Sequence, residues 1–255
     1  MLLCVDIGNT NTVLATFEGE TLVHSWRIKT DPRATADEMA LTFRGLLAGD
    51  NVEVSAICVS STVPQALREL RVMLSRYYAA KPTVLVAPGV RTGVQLAIDN
   101  PREVGADRIV NTHAAYNMYG GPSIIVDFGT STNIDVISEK GEFLGGAFAP
   151  GIEISIDALA SRAAQLQKVE PVKPRSVIGK NTVECLQSGI IYGFAGQIDG
   201  LVTRIIKQLG TGVSAVIATG GLAPVVIEEC ATITNYEPML TLIGLRMIYE
   251  RNAPQ

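Results

Sequence analysis

The sequence predicts an α/β fold of two duplicated halves, each a mixed β-sheet flanked by helices, with an interdomain cleft. Residues 2–13 contain an apolar run that ends in Asp-x-Gly and continues into a second strand. Residues 124–134 repeat this layout at mid-chain, and internal symmetry on this scale indicates a duplicated domain. Around both copies, buried-strand patterns alternate with amphipathic helix patterns, as in layered α/β proteins. We therefore assign residues 1–119 to one half and residues 120–255 to the other.

The first half begins with a predicted hairpin that turns at residues 18–20. A helix should follow, because Thr35 and Glu38 have the spacing of a capping box and apolar residues recur behind them at helical intervals. The loop over 88–104 is long for a segment without secondary structure, which favours a functional role, and it leads into a helix. The remaining predicted elements are a strand over 54–59, a helix that starts at 62–65 and a strand over 83–87.

The second half repeats the hairpin, with a turn at residues 139–141. Glycines crowd residues 145–151, which predicts a tight loop before the next helix. The last clear strand covers residues 214–219, directly before Gly220 and Gly221.

A long helix is predicted from Asn181 toward Leu209, with Asn181 and Glu184 at capping-box spacing. Glycine is unfavourable inside a helix by about 1 kcal/mol relative to alanine. Four glycines recur every three or four residues along this helix and form a stripe on one face: Gly189, Gly193, Gly196 and Gly200. The stripe therefore predicts that something approaches this backbone closely, and tight helix packing and ligand contact are both open.

The composition limits the class of protein. With 47% apolar residues, the chain has ample material for a core. A net charge of -4 and the lack of a Lys or Arg run argue against a nucleic-acid surface. The four cysteines are dispersed, so we interpret them as buried free thiols of a reducing compartment. The N-terminus lacks a charged leader region and no apolar run reaches the ~18 residues of a membrane span, so a cytoplasmic protein that does not enter the membrane is expected.

Each copy of the repeated segment ends its first strand with an aspartate, Asp6 or Asp127, and places a glycine two residues later. The turn holds only short side chains with hydroxyl or amide groups, and its backbone N–H groups can point outward. Such groups hold phosphate oxygens, and the aspartate adds a hard oxygen ligand for a cation or its waters. Asp-x-Gly is also common turn chemistry, so a purely structural turn is the alternative. Two copies in one chain favour a nucleotide that meets both turns.

A further carboxylate, Asp107, stands beside Arg108 where the long loop joins its helix. A carboxylate here could accept the proton of a primary alcohol, and the arginine could pair with an anionic or polar group of a substrate. The alternative is an exposed pair at a helix start, where the helix dipole favours aspartate. Residue types alone leave both open.

Residues 6–10, 127–130 and 218–221 resemble the two phosphate loops and the adenosine loop of the actin-like and sugar-kinase ATPase superfamily. With residues 100–108 added, the chain resembles type III pantothenate kinases over its whole length. The resemblance implies a ribonuclease-H-like (actin-like ATPase) fold in each half. It also implies a homodimer that phosphorylates the primary hydroxyl of pantothenate with ATP, giving 4′-phosphopantothenate in the first step of coenzyme A biosynthesis.

The same resemblance implies roles for individual residues. Asp107 is the expected proton acceptor, Asp6 orients hydrated Mg²⁺, and Asp127 binds a monovalent cation, K⁺ or NH₄⁺. The ATP-binding residues are Asp6, Ile7, Gly8, Asn9, Thr10, Asn11, Thr12, Val13, Gly129, Thr130, Ser131, Thr132, Gly220 and Gly221. The residues that bind pantothenate are Ile98, Gly105, Ala106, Asp107, Arg108 and Thr182.

The chain departs from the family pattern in two places. Ser131, Thr132 and Asn133 stand where the family commonly has Ala-Thr-Thr, and Ile98 stands where an aromatic residue is usual. If that aromatic lines the pantothenate pocket, Ile98 offers less stacking area. Ile98 therefore keeps open a catalytically silent regulator on the same scaffold. A sugar or acetate kinase of the superfamily is a third alternative, against which the motif at 105–108 argues.

Overall fold

The computed structural model describes residues 1–163 and 166–253. The first elements are β1 (Leu2–Ile7), β2 (Asn11–Glu18), β3 (Thr21–Lys29), α1 (Ala36–Gly49), β4 (Ala56–Ser61), α2 (Pro64–Tyr77), β5 (Thr83–Leu85), a 3₁₀ turn (Pro101–Glu103) and α3 (Ala106–Tyr119). They are followed by β6 (Ser123–Phe128), β7 (Ser131–Ile137), β8 (Phe143–Pro150), α4 (Ile152–Arg162), α5 (Thr182–Leu209), β9 (Ala215–Thr219), α6 (Ala223–Val226), a second 3₁₀ turn (Ile227–Glu229), β10 (Asn235–Tyr236) and α7 (Leu240–Asn252).

The strands form two five-stranded sheets with the same topology. The first has the order β3-β2-β1-β4-β5 and the second, read in the matching direction, the order β8-β7-β6-β9-β10. In each sheet the first three strands of the chain pair antiparallel and the last two add in parallel. The duplicated mixed sheet predicted from the sequence is therefore confirmed, with β6 in the place of β1.

The chain divides into two compact units that exchange short segments. Helix α7 belongs to the first unit because it packs on β1, β2 and β4. The boundary predicted between residues 119 and 120 follows the duplication. It does not anticipate that the C-terminal helix packs on the first unit. The first unit comprises Met1–Val94, Asn100–Ala114 and Leu240–Gln255, and the second comprises Gln95–Asp99 and Ala115–Met239.

Each unit has its own hydrophobic core. The first core joins apolar residues of β1, β2 and β4 to those of α1 and α2, and the second joins β6, β7 and β9 to α4, α5 and α6. Burial of one large aliphatic side chain contributes roughly 1.5–3 kcal/mol. Val5 and Val126, which directly precede Asp6 and Asp127, are both fully buried. The cores therefore fix the strand ends at which the two aspartates stand.

Residues 145–151 do not form the tight loop that their glycines predict, because most of them belong to strand β8. This strand pairs antiparallel with β7, with an irregularity in the register after Val136. A Cβ at Gly146 would overlap the carbonyl oxygen of Ile134. The glycines serve a close backbone approach within the sheet, which is the other common reason for glycine in a strand.

Helix α5 begins as predicted but its glycine stripe is open. The Asn181 side chain accepts a hydrogen bond from the Glu184 N–H at 2.9 Å, while the Glu184 carboxylate accepts from the Lys180 N–H at 2.9 Å, one residue before the position that a capping box uses. A Cβ on Gly189, Gly193 or Gly196 would meet no atom within 4 Å among the described residues. Tight packing of another described segment against these three glycines is therefore not observed, while contact with a ligand stays a prediction.

The cysteines differ in exposure. Cys4 and Cys58 are buried, as expected, and burial raises the pKa of the Cys58 thiol to about 12. Cys185 is exposed, against expectation, because it lies in the first turns of α5. No helix in the described residues is both long enough and apolar enough to span a membrane.

Candidate active site

The first predicted phosphate loop, residues 6–10, includes a tight turn between β1 and β2. Residues 8–12, which are this turn and the first two residues of β2, are called loop 1 here. The Gly8 N–H donates to the carbonyl oxygen of Asn11 at 3.0 Å, which closes the turn. Asn9, Thr10 and Asn11 are exposed. A short exposed turn on a fixed strand end is a suitable support for phosphate oxygens.

Loop 1 is held from behind by Thr30, a residue that the sequence analysis did not single out. Thr30 follows β3 directly, and its N–H donates to the carbonyl oxygen of Thr10 at 2.9 Å. Its hydroxyl donates to the carbonyl oxygen of Gly8 at 2.7 Å and lies 2.9 Å from the hydroxyl of Thr12. The pairing of β2 with β3 brings Thr30 here, and no local motif indicates it.

Asp6 is the penultimate residue of β1, and a serine of a neighbouring strand holds its carboxylate by a hydrogen bond. Ser60 of β4 lies opposite Asp6 in the parallel register, and its hydroxyl donates to Asp6 Oδ1 at 2.6 Å. Burial raises the pKa of Asp6 to about 7, with a further increase from the charge of Asp107, while the Ser60 hydrogen bond opposes the rise. The structure therefore brings Asp6 and Asp107 close enough to interact within the first unit.

Asp107 is the second residue of α3, and its carboxylate folds back over Gly105. A Cβ at position 105 would overlap Asp107 Oδ1, so the motif requires glycine for this conformation of the aspartate. Burial raises the pKa of Asp107, and hydrogen bonds from the backbone N–H groups of Arg108 and Asp107, with the Arg108 charge, oppose the rise. The alternative of an exposed pair is wrong, because Ala106, Asp107 and Arg108 are all partly buried.

The second predicted phosphate loop, residues 127–130, has an equivalent construction. Residues 129–132, which are its turn and the first two residues of β7, are called loop 2. The Gly129 N–H donates to the carbonyl oxygen of Ser131 at 3.0 Å. The Ser131 hydroxyl donates to Asn133 Oδ1 at 2.7 Å. Within residues 131–133, the two side chains that differ from the family pattern, Ser131 and Asn133, are therefore hydrogen-bonded to each other.

Helix α4 starts against loop 2. A Cβ at Gly151, its N-cap, would overlap the Thr130 carbonyl oxygen and lie 2.7 Å from that of Gly129. The Thr132 hydroxyl donates to the carbonyl oxygen of Pro150 at 3.4 Å. Loop 2 is therefore fixed to the chain segment that enters α4.

The predicted adenosine loop lies against the end of β6, directly before loop 2, in the second unit. Gly220 has a φ of +91°, and a Cβ there would be 2.5 Å from Asp127 Oδ1 and 2.6 Å from the Phe128 carbonyl oxygen. The Leu222 N–H donates to that same carbonyl oxygen at 3.2 Å, while Gly221 is exposed. Glycine at 220 is required both by its positive φ and by the closeness of Asp127.

The other predicted substrate residues lie at two places in the second unit. Ile98 is partly buried, and its Cγ2 is 3.6 Å from the Cβ position of Gly145 in β8. Thr182 is the first residue of α5 and is exposed. Their contacts with a substrate stay predictions.

The fold and these loops define a class of protein: two mixed-sheet units of the actin-like ATPase fold. A ROK family glucokinase from Streptomyces griseus, solved with glucose and AMPPNP, superposes with a TM-score of 0.53 at 13% identity over 98% of this chain and 99% of that chain. A Campylobacter jejuni protein of the Baf family, described as a transcriptional activator, superposes with a TM-score of 0.61 at 19% identity over 98% of both chains. At these identities the likeness establishes the fold.

Sequence comparison gives the family. The sequence model of type III pantothenate kinase matches residues 2–204. The type III pantothenate kinase of Salinispora arenicola is 73% identical over 253 residues, which are 99% of this chain and 100% of that protein. The chain belongs to the type III pantothenate kinase family.

Proposed function

We propose that this protein transfers the γ-phosphoryl group of ATP to the primary hydroxyl of pantothenate, giving 4′-phosphopantothenate and ADP at the entry to coenzyme A biosynthesis. Membership of the family supports the reaction. The observation that links the reaction to particular residues is the electrostatic interaction of Asp6 with Asp107 in the first unit. It joins a carboxylate at the predicted phosphate loop to the predicted proton acceptor.

ATP phosphates are assigned to loops 1 and 2. In both loops a glycine N–H closes the turn onto a downstream carbonyl. The exposed residues at the tip are 9–11 in loop 1 and Thr130 in loop 2. Phosphoryl transfer depends mainly on positioning and on neutralising charge, and rigid turns serve the first purpose. Gly220 and Gly221 complete the nucleotide site as the adenosine loop.

Asp6 fits the role of a Mg²⁺ ligand. Mg²⁺ is usually held by one or two carboxylates together with waters and substrate phosphates, so one buried carboxylate beside loop 1 suffices. The raised pKa of Asp6 is consistent with a site that stabilises its charged form when a cation binds. Bound Mg²⁺ would neutralise charge on the phosphates. Ser60 orients the carboxylate through its hydrogen bond.

Asp107 takes the proton of the acceptor hydroxyl. The hydroxyl oxygen forms a bond to the γ-phosphorus while the bond to the β-phosphate bridging oxygen breaks, and the proton goes to the Asp107 carboxylate. A general base acts best when its pKa is not far below the working pH, and burial shifts the pKa of Asp107 in that direction. Gly105 keeps the carboxylate folded over the helix start, and Arg108 is assigned to a polar or anionic group of pantothenate.

Three further assignments follow from the family. Asp127, at the end of β6 beside Gly220, binds a monovalent cation, K⁺ or NH₄⁺. Ile98, Ala106 and Thr182 contact pantothenate, and the working protein is a cytoplasmic homodimer. A carboxylate oxygen is a suitable ligand for a hard cation, which supports Asp127 in this role. A silent regulator is not favoured, because the phosphate-loop and acceptor-loop side chains are all present.

The test of this function is acceptor-dependent ADP release. With ATP, Mg²⁺ and K⁺, we expect turnover with pantothenate and none with an analogue that lacks the primary hydroxyl. Replacing K⁺ by tetramethylammonium should lower the rate if Asp127 binds a monovalent cation. Turnover that does not require pantothenate, or none at all from folded protein, would refute the assignment.

A further inference from the structure

One residue, Thr30, contacts loop 1 at both ends of the loop, through its backbone N–H and its side-chain hydroxyl. Its N–H reaches the Thr10 carbonyl oxygen at 2.9 Å and its hydroxyl reaches the Gly8 carbonyl oxygen at 2.7 Å. Its Oγ1 also lies 2.9 Å from Thr12 Oγ1. Thr30 is only 6% exposed, so these hydrogen bonds are shielded from competition with water. The loop is therefore tied to the end of β3 at three points.

The direction of the hydroxyl hydrogen bonds follows from counting protons. A carbonyl oxygen only accepts, so the single hydroxyl proton of Thr30 is used toward Gly8. Thr30 Oγ1 must then accept from Thr12. The result is a relay from Thr12 through Thr30 to the Gly8 carbonyl. The Thr12 side chain consequently has no proton to donate to a phosphate, and its hydroxyl serves to hold the loop.

A cavity makes this relay more important for the position of the loop. A space of about 180 Å³ adjoins the two threonines. Where side chains do not fill the space beside a segment, dispersion contacts restrain that segment less than in a close-packed core. The hydrogen bonds of Thr30 thus carry a larger share of the restraint on loop 1. The cavity lining includes Ile7, Thr12, Ile28, Thr30, Met39 and Phe43.

We propose that Thr30 is a positioning residue for ATP, which holds the backbone of loop 1 in its phosphate-binding geometry through the relay from Thr12 to Gly8. This inference rests on the proposed function, since it takes ATP phosphates as the ligand of loop 1. Preorganising a binding loop increases affinity by lowering the entropy that binding must remove. Thr30 therefore acts on ATP binding without touching ATP.

The test exchanges the hydroxyl of Thr30 at nearly constant shape. Thr30→Val removes the relay and keeps the backbone hydrogen bond to Thr10. We expect the dissociation constant of a non-hydrolysable ATP analogue, measured by calorimetry, to rise roughly tenfold, the order expected for a lost buried hydrogen bond or two. The KM for pantothenate at saturating ATP should not change, and Thr30→Ser should restore ATP affinity. Thr21→Val, the same exchange at the exposed start of β3, should leave both constants unchanged.

A second variant tests the relay itself. Thr12→Val should weaken ATP binding, and the Thr12→Val/Thr30→Val double variant should bind no more weakly than Thr30→Val, because both changes break one chain of hydrogen bonds. Additive losses would show that Thr12 contacts phosphate directly and would overturn the relay. If Thr30→Val does not fold, unchanged ATP affinity in Thr12→Val decides against the proposal.

The result also separates this inference from the proposed function. Wild-type protein that fails to bind the ATP analogue would contradict the proposed function. Wild-type protein that binds it while Thr30→Val binds equally well would overturn only the role of Thr30. A fall in melting temperature without any change in ATP affinity has the same consequence, because it assigns Thr30 to stability alone.

Discussion

Asp6 and Asp107 are two carboxylates whose pKa values are both raised by burial in the first unit. Their mutual repulsion adds to the increase at Asp6. Such a pair is unfavourable to the folded protein by itself and favourable to a protein that binds a divalent cation and removes a proton from its substrate. The chemistry of the site thus costs stability in the absence of ligands.

As the pH is lowered, activity should be lost at a pH above the ordinary pKa range of aspartate. As the proposed base, Asp107 would accept a proton only when it is ionised, and burial raises its pKa. We therefore expect the acid limb of kcat/KM for pantothenate to lie above the usual aspartate pKa of about 3.9. A pH–rate profile at saturating ATP and Mg²⁺ measures it. Activity that stays constant down to pH ~4 would contradict the buried base.

Asp6→Asn should stabilise the metal-free protein at high pH. The folded pKa of Asp6 is about 7, above its unfolded value of about 3.9, so the ionised carboxylate destabilises the fold above about pH 7. This penalty shrinks as pH falls through the folded pKa and vanishes near the unfolded one. The gain in melting temperature of Asp6→Asn over wild type should therefore be larger at pH 8 than at pH 5. An equal gain at both pH values would contradict the raised pKa.

Sequence could identify Asp6, Asp107 and Asp127 because each stands in a local motif. It could not identify Ser60 or Thr30. Ser60 reaches Asp6 through the parallel register of β1 and β4, and Thr30 reaches loop 1 through the antiparallel pairing of β2 and β3. Supporting residues of this kind are defined by strand register, which is fixed only when the sheet forms.

At the scale of elements, each predicted phosphate loop is placed by the strand that it follows, loop 1 by β1 and loop 2 by β6. The predicted hairpins, the capping box at Thr35 and the helix after residue 105 are all confirmed. Strand β8 was predicted as a loop because glycine is ambiguous in sequence: it marks a turn as well as a close approach of two backbones. Helix α7 packs on the first sheet, and no local pattern indicates to which unit a terminal helix returns.

Gly220→Ala should damage the second unit at the adenosine loop. An alanine there would occupy a left-handed conformation, which costs roughly 1–2 kcal/mol, and its Cβ would press on Asp127 and the Phe128 carbonyl. We expect a lower melting temperature and weaker ATP binding. Gly212→Ala is a matched control, since a Cβ at Gly212 meets nothing within 4 Å. Equal stability of the two variants would contradict the close approach of Gly220 to Asp127.

At the scale of the whole molecule, duplication explains the arrangement of the site residues. The same five-strand topology occurs twice, and each copy presents an aspartate at the end of its first strand. The copies have since diverged: the first unit adds Asp107 beside Asp6, and the second adds Gly220 beside Asp127. In the proposed function, both copies bind ATP phosphates, the first copy adds the acceptor chemistry of Asp107, and the second adds the monovalent-cation ligand Asp127.

The most direct test of this account is the formation of phosphopantothenate, measured by mass spectrometry with ATP, Mg²⁺ and K⁺, for wild type and Asp107→Asn. We expect product from wild type and a kcat lower by roughly 10²- to 10⁴-fold for Asp107→Asn, at a melting temperature no lower than that of wild type. Asp37→Asn, at an exposed position on α1, should retain the wild-type kcat. Product formed at the wild-type rate by folded Asp107→Asn, or no product from wild type, would contradict it.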